Sequence, residues 1–158
     1  MFRTFQEGLT FRTEGRGSIE ITQAVEAVLK KSELMAGTCH VFVQHTSASL
    51  MITENADPRV RQDLETLLGR FAPDADPAYA HDDEGDDDMA AHARSILTGS
   101  SVTVPIGKHK LLLGTWQGIY LYEHRAQGYD REVIVTLTGR TTIDKDLARQ
   151  RHPTGEGP

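Results

Sequence analysis

Apolar and polar residues alternate through CHVFVQH, residues 39–45, which places Val41, Val43 and His45 on one side of an extended strand and His40, Phe42 and Gln44 on the other. The β-branched and aromatic character continues through TSASLMITEN, so this region reads as a strand and its continuation. FRTFQEGLTF, residues 2–11, alternates as well and reads as one or two strands. SVTVPI, LLLGTWQGIYLYEH and REVIVTLTG supply later strands, with the turn RAQGYD joining the last two.

Helical spacing interrupts these strands. In SIEITQAVEAVLKKSEL the residues Ile21, Val25, Val28 and Leu29 form a core stripe. Asp57-Pro58 opens a second helix as N-cap and first-turn proline, with Val60, Leu64, Leu67, Leu68 and Phe71 as its expected buried face. DDMAAHARSILTG reads as a short third helix ended by Gly99. Strands before, between and after helices, with too few βαβ crossovers for a doubly wound sheet, give an α+β class. At 158 residues the chain suits one domain, expected over residues 1–140, with a polar and frayed tail over 141–158.

A net charge of -6, with no stripe of Lys and Arg, argues against a nucleic-acid partner. The opening residues MFRTFQEGLTFRTEG have neither the apolar region of a signal peptide nor a membrane span, so no membrane partner and a cytoplasmic location are expected. The single cysteine, Cys39, permits no intrachain disulfide and reads as a buried, inert thiol.

HDDEGDDDMAAH, residues 81–92, holds six acidic residues between two histidines. Most acidic runs are solvated surface, but imidazole is the commonest side-chain metal ligand. With a helix beginning near Asp87, Asp88 and His92 share one face, one turn apart, and His81 enters from the preceding loop. Asp82, Asp83, Asp86 and Asp87 are expected to be solvated or capping groups. His45 ends an apolar row beside Thr46, Ser47 and Ser49, where an isolated histidine is ordinarily a hydrogen-bonded residue at the edge of a core. Joined with His81 and His92, it gives three imidazoles from three elements, the open arrangement of a catalytic divalent metal. A serine triad using His45 is the weaker alternative, because no G-x-S-x-G elbow accompanies it. Gly114 and Gly118 flank Trp116 in a strand and mark a bulge or a close approach. Glu123, Arg125 and Arg131 gather at its end, where surface ion pairs would contribute little.

Taken together, HTSASLMITENADPRVRQDLE, YAHDDEGDDDMAAHARSILTGSSVTVPI, LLLGTWQGIYLYEHR and VIVTLTG resemble the YjbQ family, also called the secondary thiamine-phosphate synthase family, in order from about Phe2 to Gly139. The resemblance implies a cytoplasmic α+β protein with an antiparallel, β-sandwich-like core and flanking helices, assembled as a homotrimer. It also implies a histidine-rich metal site and weak thiamine-phosphate synthesis, which joins hydroxymethylpyrimidine diphosphate to thiazole phosphate with loss of diphosphate. Carried over by motif, His45, His81 and His92 become metal ligands. Glu54, Asn55 and Asp57 of ENADP, Trp116 and Gln117 of GTWQ, and Glu123 become catalytic candidates. Thr46, Ser47, Arg125 and Arg131 are assigned to a small phosphorylated substrate. Ala90 stands where the family pattern has proline, an acceptable helical residue.

Three imidazoles favour Zn²⁺ or another transition ion, whereas Mg²⁺ would accompany a diphosphate substrate. Two alternatives stand beside the synthase. One is a metal-dependent hydrolase of a small phosphorylated metabolite with Glu54 or Asp57 as base. The other is a trimeric module that binds a small anion without catalysis.

Overall fold

A computed structural model describes residues 1–141. The expected polar tail, apart from Thr141, lies outside the described residues. Eight strands and three helices form one α+β domain: β1 Phe2–Arg12, β2 Gly17–Glu20, α1 Thr22–Ser32, β3 Ala36–Val43, β4 Ala48–Glu54, α2 Pro58–Phe71, α3 Asp88–Thr98, β5 Ser101–Gly107, β6 Lys110–Leu111, β7 Gln117–Glu123 and β8 Asp130–Arg140. All pairings are antiparallel, in a five-stranded sheet of order β1-β8-β3-β5-β6 and a three-stranded sheet of order β2-β7-β4.

Strand alternation carries the core. Cys39, Val41 and Val43 of β3, Val104 and Ile106 of β5, and Val133, Val135 and Leu137 of β8 form one buried cluster with Leu50 of β4 and Ile119 and Leu121 of β7. The two sheets therefore bury their apolar rows in a shared interior, which α1 extends with Val25, Val28 and Leu29. Burial pushes the Cys39 thiol up to about 12, in keeping with an inert core residue. At the β3–β8 pairing Gly37 faces Gly139, and a Cβ on Gly139 would lie 2.1 Å from the Ala36 carbonyl oxygen. Only glycine allows the backbones to approach so closely there.

Three details differ from the sequence reading. The first residues of the expected α1 segment, from Ser18 to Glu20, belong to β2 because they pair with β7. The long strand expected through LLLGTWQGIYLYEH is confined to β6 and β7, and RAQGYD carries the chain from one sheet to the other rather than closing a hairpin. Asp57 does cap α2, its carboxylate accepting the Arg59 N–H at 2.9 Å, with Pro58 at the first position. Yet Leu68 alone of α2 is buried, whereas Leu67 and Phe71 are 43% and 71% exposed. This helix lies outside the shared interior, so among the described residues its apolar stripe meets no comparable surface.

Helices α2 and α3 are fastened to the outer side of the three-stranded sheet by polar groups. Glu65 of α2 accepts from Tyr122 Oη of β7 and from Arg94 Nη1 of α3, the latter at 2.6 Å. Thr98 of α3 donates to Ser49 of β4 at 2.5 Å. Leu50 N–H donates to the Gly99 carbonyl at 3.0 Å, and Val43 N–H to that of Ser100 at 2.9 Å, so the end of α3 is tied to both sheets. Among the described residues no helix is long and apolar enough to cross a membrane.

Candidate metal centre

The acidic loop turns back over the start of α3 at Gly85, whose φ of 105° suits a residue without a Cβ. That turn brings His81 beside Asp88 and His92, which are one turn apart on α3. Asp88 Oδ2 lies 2.7 Å from His81 Nε2 and 3.2 Å from His92 Nε2, and the two imidazole centroids are 5.6 Å apart. Three donor atoms of His81, Asp88 and His92 thus converge within 4.8 Å of one another. A tetrahedral ion with bonds of about 2.0–2.1 Å holds its ligand atoms roughly 3.3 Å apart. The spacing fits.

Hydrogen bonds behind the donors orient them. The Thr46 carbonyl sits 3.1 Å from His92 Nδ1, so Nδ1–H donates to it and leaves Nε2 facing Asp88. Asp88 is 2% exposed, and its other oxygen accepts Arg125 Nη1 at 2.6 Å. Burial works to raise the Asp88 carboxyl, but the His81 hydrogen bond and the charges of Arg125 and His92 outweigh it and hold the group below its ordinary range. Asp87 accepts Arg125 Nε at 2.9 Å and Ala126 N–H at 2.8 Å. It occupies the expected N-cap position of α3, but its side chain bonds no amide of that helix and instead anchors α3 to the segment after β7. Asp82, Asp83, Glu84 and Asp86 are exposed.

His45 stands outside this group. Its Nε2 lies 2.7 Å from the Glu132 backbone nitrogen, and desolvation, aided by the charge of Arg131, lowers its pKa. The third convergent donor is Asp88, for which the i, i+4 relation to His92 was the available signal. His45 does share a pocket of about 360 Å³ with His92, Thr46, Ser95 and Ser100.

The arginines expected to grip substrate are engaged within the protein. Arg125 uses Nε, Nη1 and Nη2 on Asp87, Asp88 and the Glu84 carbonyl. Arg131, 4% exposed, donates from Nε to Glu123 at 2.6 Å, from Nη2 to the other Glu123 oxygen, and from Nη2 to Ser47 Oγ at 3.0 Å. Glu123 is wholly buried and also accepts from Thr13 Oγ1 and the Arg125 N–H. Sequence reasoning did not reach the neighbouring His124, buried against Tyr122, with Nε2 2.8 Å from Ser49 Oγ. Burial, then the charges of Arg94, Arg16 and Arg131, bring its pKa down to about 3.

The remaining candidates gather elsewhere. Asn55 N–H donates to the Trp116 carbonyl at 3.0 Å, Asn55 Nδ2 to the Gln117 carbonyl at 3.4 Å, and Asp57 N–H to Glu54 Oε2 at 3.2 Å. Trp116 is 64% exposed. The β4–β7 register pairs Glu54 with Gln117 at one end and Ala48 with Glu123 at the other. At about 3.3 Å per residue these ends are roughly 20 Å apart, so within one chain the ENADP and GTWQ residues lie far from the histidines. At Gly118 the space a Cβ would take is filled by side chains, with Glu20 Oε1 at 2.5 Å, rather than by the ligand or backbone such a glycine suggests.

The family described as UPF0047 protein YjbQ-like matches residues 7–140. A UPF0047 protein of Synechocystis is 46% identical over 138 residues, covering 87% of this chain and 94% of its own. The UPF0047 protein YjbQ of Escherichia coli O157:H7 is 41% identical over 136 residues, covering 85% and 98%. Among solved structures, a YbjQ-like protein of Sulfolobus solfataricus aligns with a TM-score of 0.82 at 25% identity, over 89% of this chain and all of that one. A protein of the yjbq/upf0047 family from Clostridium acetobutylicum aligns with a TM-score of 0.74 at 36% identity, over 84% and 98%.

Proposed function

Starting from the YjbQ-like UPF0047 family, to which this chain belongs, we propose a divalent-transition-metal-dependent hydrolase of a small phosphorylated metabolite. The observation that carries this reading is the convergence of Asp88 Oδ2 with the Nε2 atoms of His81 and His92 beside an open pocket. Two imidazoles and one carboxylate with open positions suit Zn²⁺, Mn²⁺, Fe²⁺ or Co²⁺ better than Mg²⁺, which favours oxygen ligands. Such an ion supplies Lewis acidity to a phosphoryl oxygen and acidifies water near neutral pH. The protein's own part is to hold the three donors: Thr46 sets the His92 tautomer, and Arg125 fixes Asp88 from behind.

Thiamine-phosphate synthesis, the activity implied by the resemblance, requires cations for the departing diphosphate. The engagement of Arg125 and Arg131 by internal carboxylates supports hydrolysis over that reaction. We also propose a cytoplasmic homotrimer, for which the exposed Leu67 and Phe71 of α2 offer apolar contact area. Light scattering across a dilution series tests the assembly, and a stable monomer counts against it.

The hydrolase is tested by stripping the protein with chelator, restoring it with Zn²⁺, Mn²⁺ or Co²⁺ in turn, and measuring phosphate release from a panel of phosphomonoesters. Release should require the ion and disappear in Asp88→Asn. Turnover indifferent to chelator would refute the proposal.

A further inference from the structure

His45 is half-buried and lines the same pocket as His92, yet its ring is committed differently. A backbone amide can only donate, so the Glu132 N–H at 2.7 Å requires a lone pair on His45 Nε2. The neutral ring then carries its proton on Nδ1. A doubly protonated ring would lose this bond and place two N–H groups nose to nose. No hydrogen bond within the described residues engages His45 Nδ1, and the pocket that His45 lines also presents Thr46, Ser95 and Ser100. No Lys or Arg lines the pocket.

We propose that His45 is a neutral Nδ1–H donor to a phosphoryl oxygen, and that the pocket between it and His92 is the subsite for a phosphomonoester group bridging to the metal position. This rests on the hydrolase reading above and adds the division of labour. Positive charge at this end comes from the ion held by His81, Asp88 and His92, while His45 contributes direction without charge. The phosphate monoester is the fitting class because it offers several equivalent oxygens, one for the ion and another for the imidazole. Its organic portion extends out of the open pocket, past the hydroxyl groups of Thr46 and Ser100. In this arrangement His45 is neither a base nor a ligand, since its lone pair is already occupied.

The test uses the ¹⁵N-labelled full chain at pH 7.5 and long-range ¹H–¹⁵N spectra of the histidine rings. His45 should show a protonated Nδ1 and a bare Nε2. Added Zn²⁺ should shift the Nε2 signals of His81 and His92 and leave both His45 nitrogens in place. Inorganic phosphate added to the zinc-loaded protein should then perturb the His45 Nδ1–H. His45→Ala should weaken phosphate binding about tenfold or more, as loss of a charge-assisted hydrogen bond does. His45→Asn, which keeps an amide N–H near that position, should retain most of the affinity, and zinc affinity should be unchanged in both variants. An Nε2-protonated ring, a coordination shift at His45 on adding zinc, or unchanged phosphate affinity in His45→Ala would overturn the assignment. Failure of the metal reading is seen separately, as unshifted His81 and His92. Phosphate is then titrated into metal-free protein, where a response at His45 keeps the donor role and silence removes it.

Discussion

Replacing Arg131 by methionine isolates the buried ion pair at the end of β7. The substitution preserves an unbranched apolar stem but removes the donors that reach both oxygens of Glu123 and the contact to Ser47 Oγ. Glu123 then keeps only the Thr13 hydroxyl at 2.8 Å and the Arg125 N–H at 3.0 Å, two dipoles facing a wholly buried carboxylate. Breaking such a pair from one side costs about 3–5 kcal/mol, a large part of the stability of an ordinary domain, which is about 5–15 kcal/mol. With a urea m-value of about 2 kcal/mol/M, the midpoint should fall by roughly 2 M. Equilibrium unfolding at pH 7.5 in the presence of EDTA measures this without interference from bound metal. Adding Glu123→Gln to Arg131→Met removes the stranded charge while leaving an acceptor for Thr13, so the double variant should regain at least half of the loss. Exposed ion pairs contribute only about 0–1 kcal/mol. A loss below about 1 kcal/mol for Arg131→Met, or a double variant no better than the single one, would refute the reasoning.

Arg125→Gln should weaken zinc binding by about 10–100-fold, because Asp88 loses the group that orients it, whereas Asp83→Ala should leave it unchanged; competition against a chelating dye compares the two. His124 has a folded-state pKa of about 3, far below the ordinary 6.5, so the folded protein binds fewer protons than the unfolded chain between those values. Its contribution is present in full above pH 6.5 and declines as pH falls, by up to about 1.4 kcal/mol per pH unit. Urea unfolding of metal-free protein between pH 6.5 and 5 should show this slope, and His124→Gln should flatten it; an identical slope in the variant would remove His124 as the cause. Gly139→Ala should cost about 3 kcal/mol, since its Cβ would meet the Ala36 oxygen and the Gly37 Cα, and a thermal midpoint within a degree of the parent would contradict that packing.

The elements legible in the sequence are those whose signal is local. Alternation in β3 and the stripe of α1 report burial directly, and Asp57-Pro58 marks the start of α2 because cap and fixed φ act within one turn. The apolar stripe of α2 obeys the same spacing, but among the described residues Leu68 of it is buried while Leu67 and Phe71 stay exposed, which spacing does not encode. RAQGYD resembled a hairpin turn because its composition specifies a change of direction, whereas the sheet each strand enters depends on long-range pairing. His81 and His92 were legible from their positions around the acidic loop. The convergence of Asp88 follows from the same helical spacing, but the separate engagement of His45 needed the position of β8 beside it. The division of the other candidates between opposite ends of β7 was likewise hidden, because motif order along a chain carries no distance.

The hydrogen bonds behind His92 and Asp88 are already made by the polypeptide alone. In small zinc-organised domains the ion supplies folding energy, and chelation unfolds the chain. Here the apolar cluster buried between the two sheets and α1 includes none of His81, Asp88 and His92, so folding rests on that core and loading of an ion would be an ordinary equilibrium at its edge, governed by dehydration of the ion and release of protons. A scaffold of this kind would rank the first-row ions chiefly by their intrinsic affinity series, leaving the choice of a resident ion to the free concentrations the cell maintains.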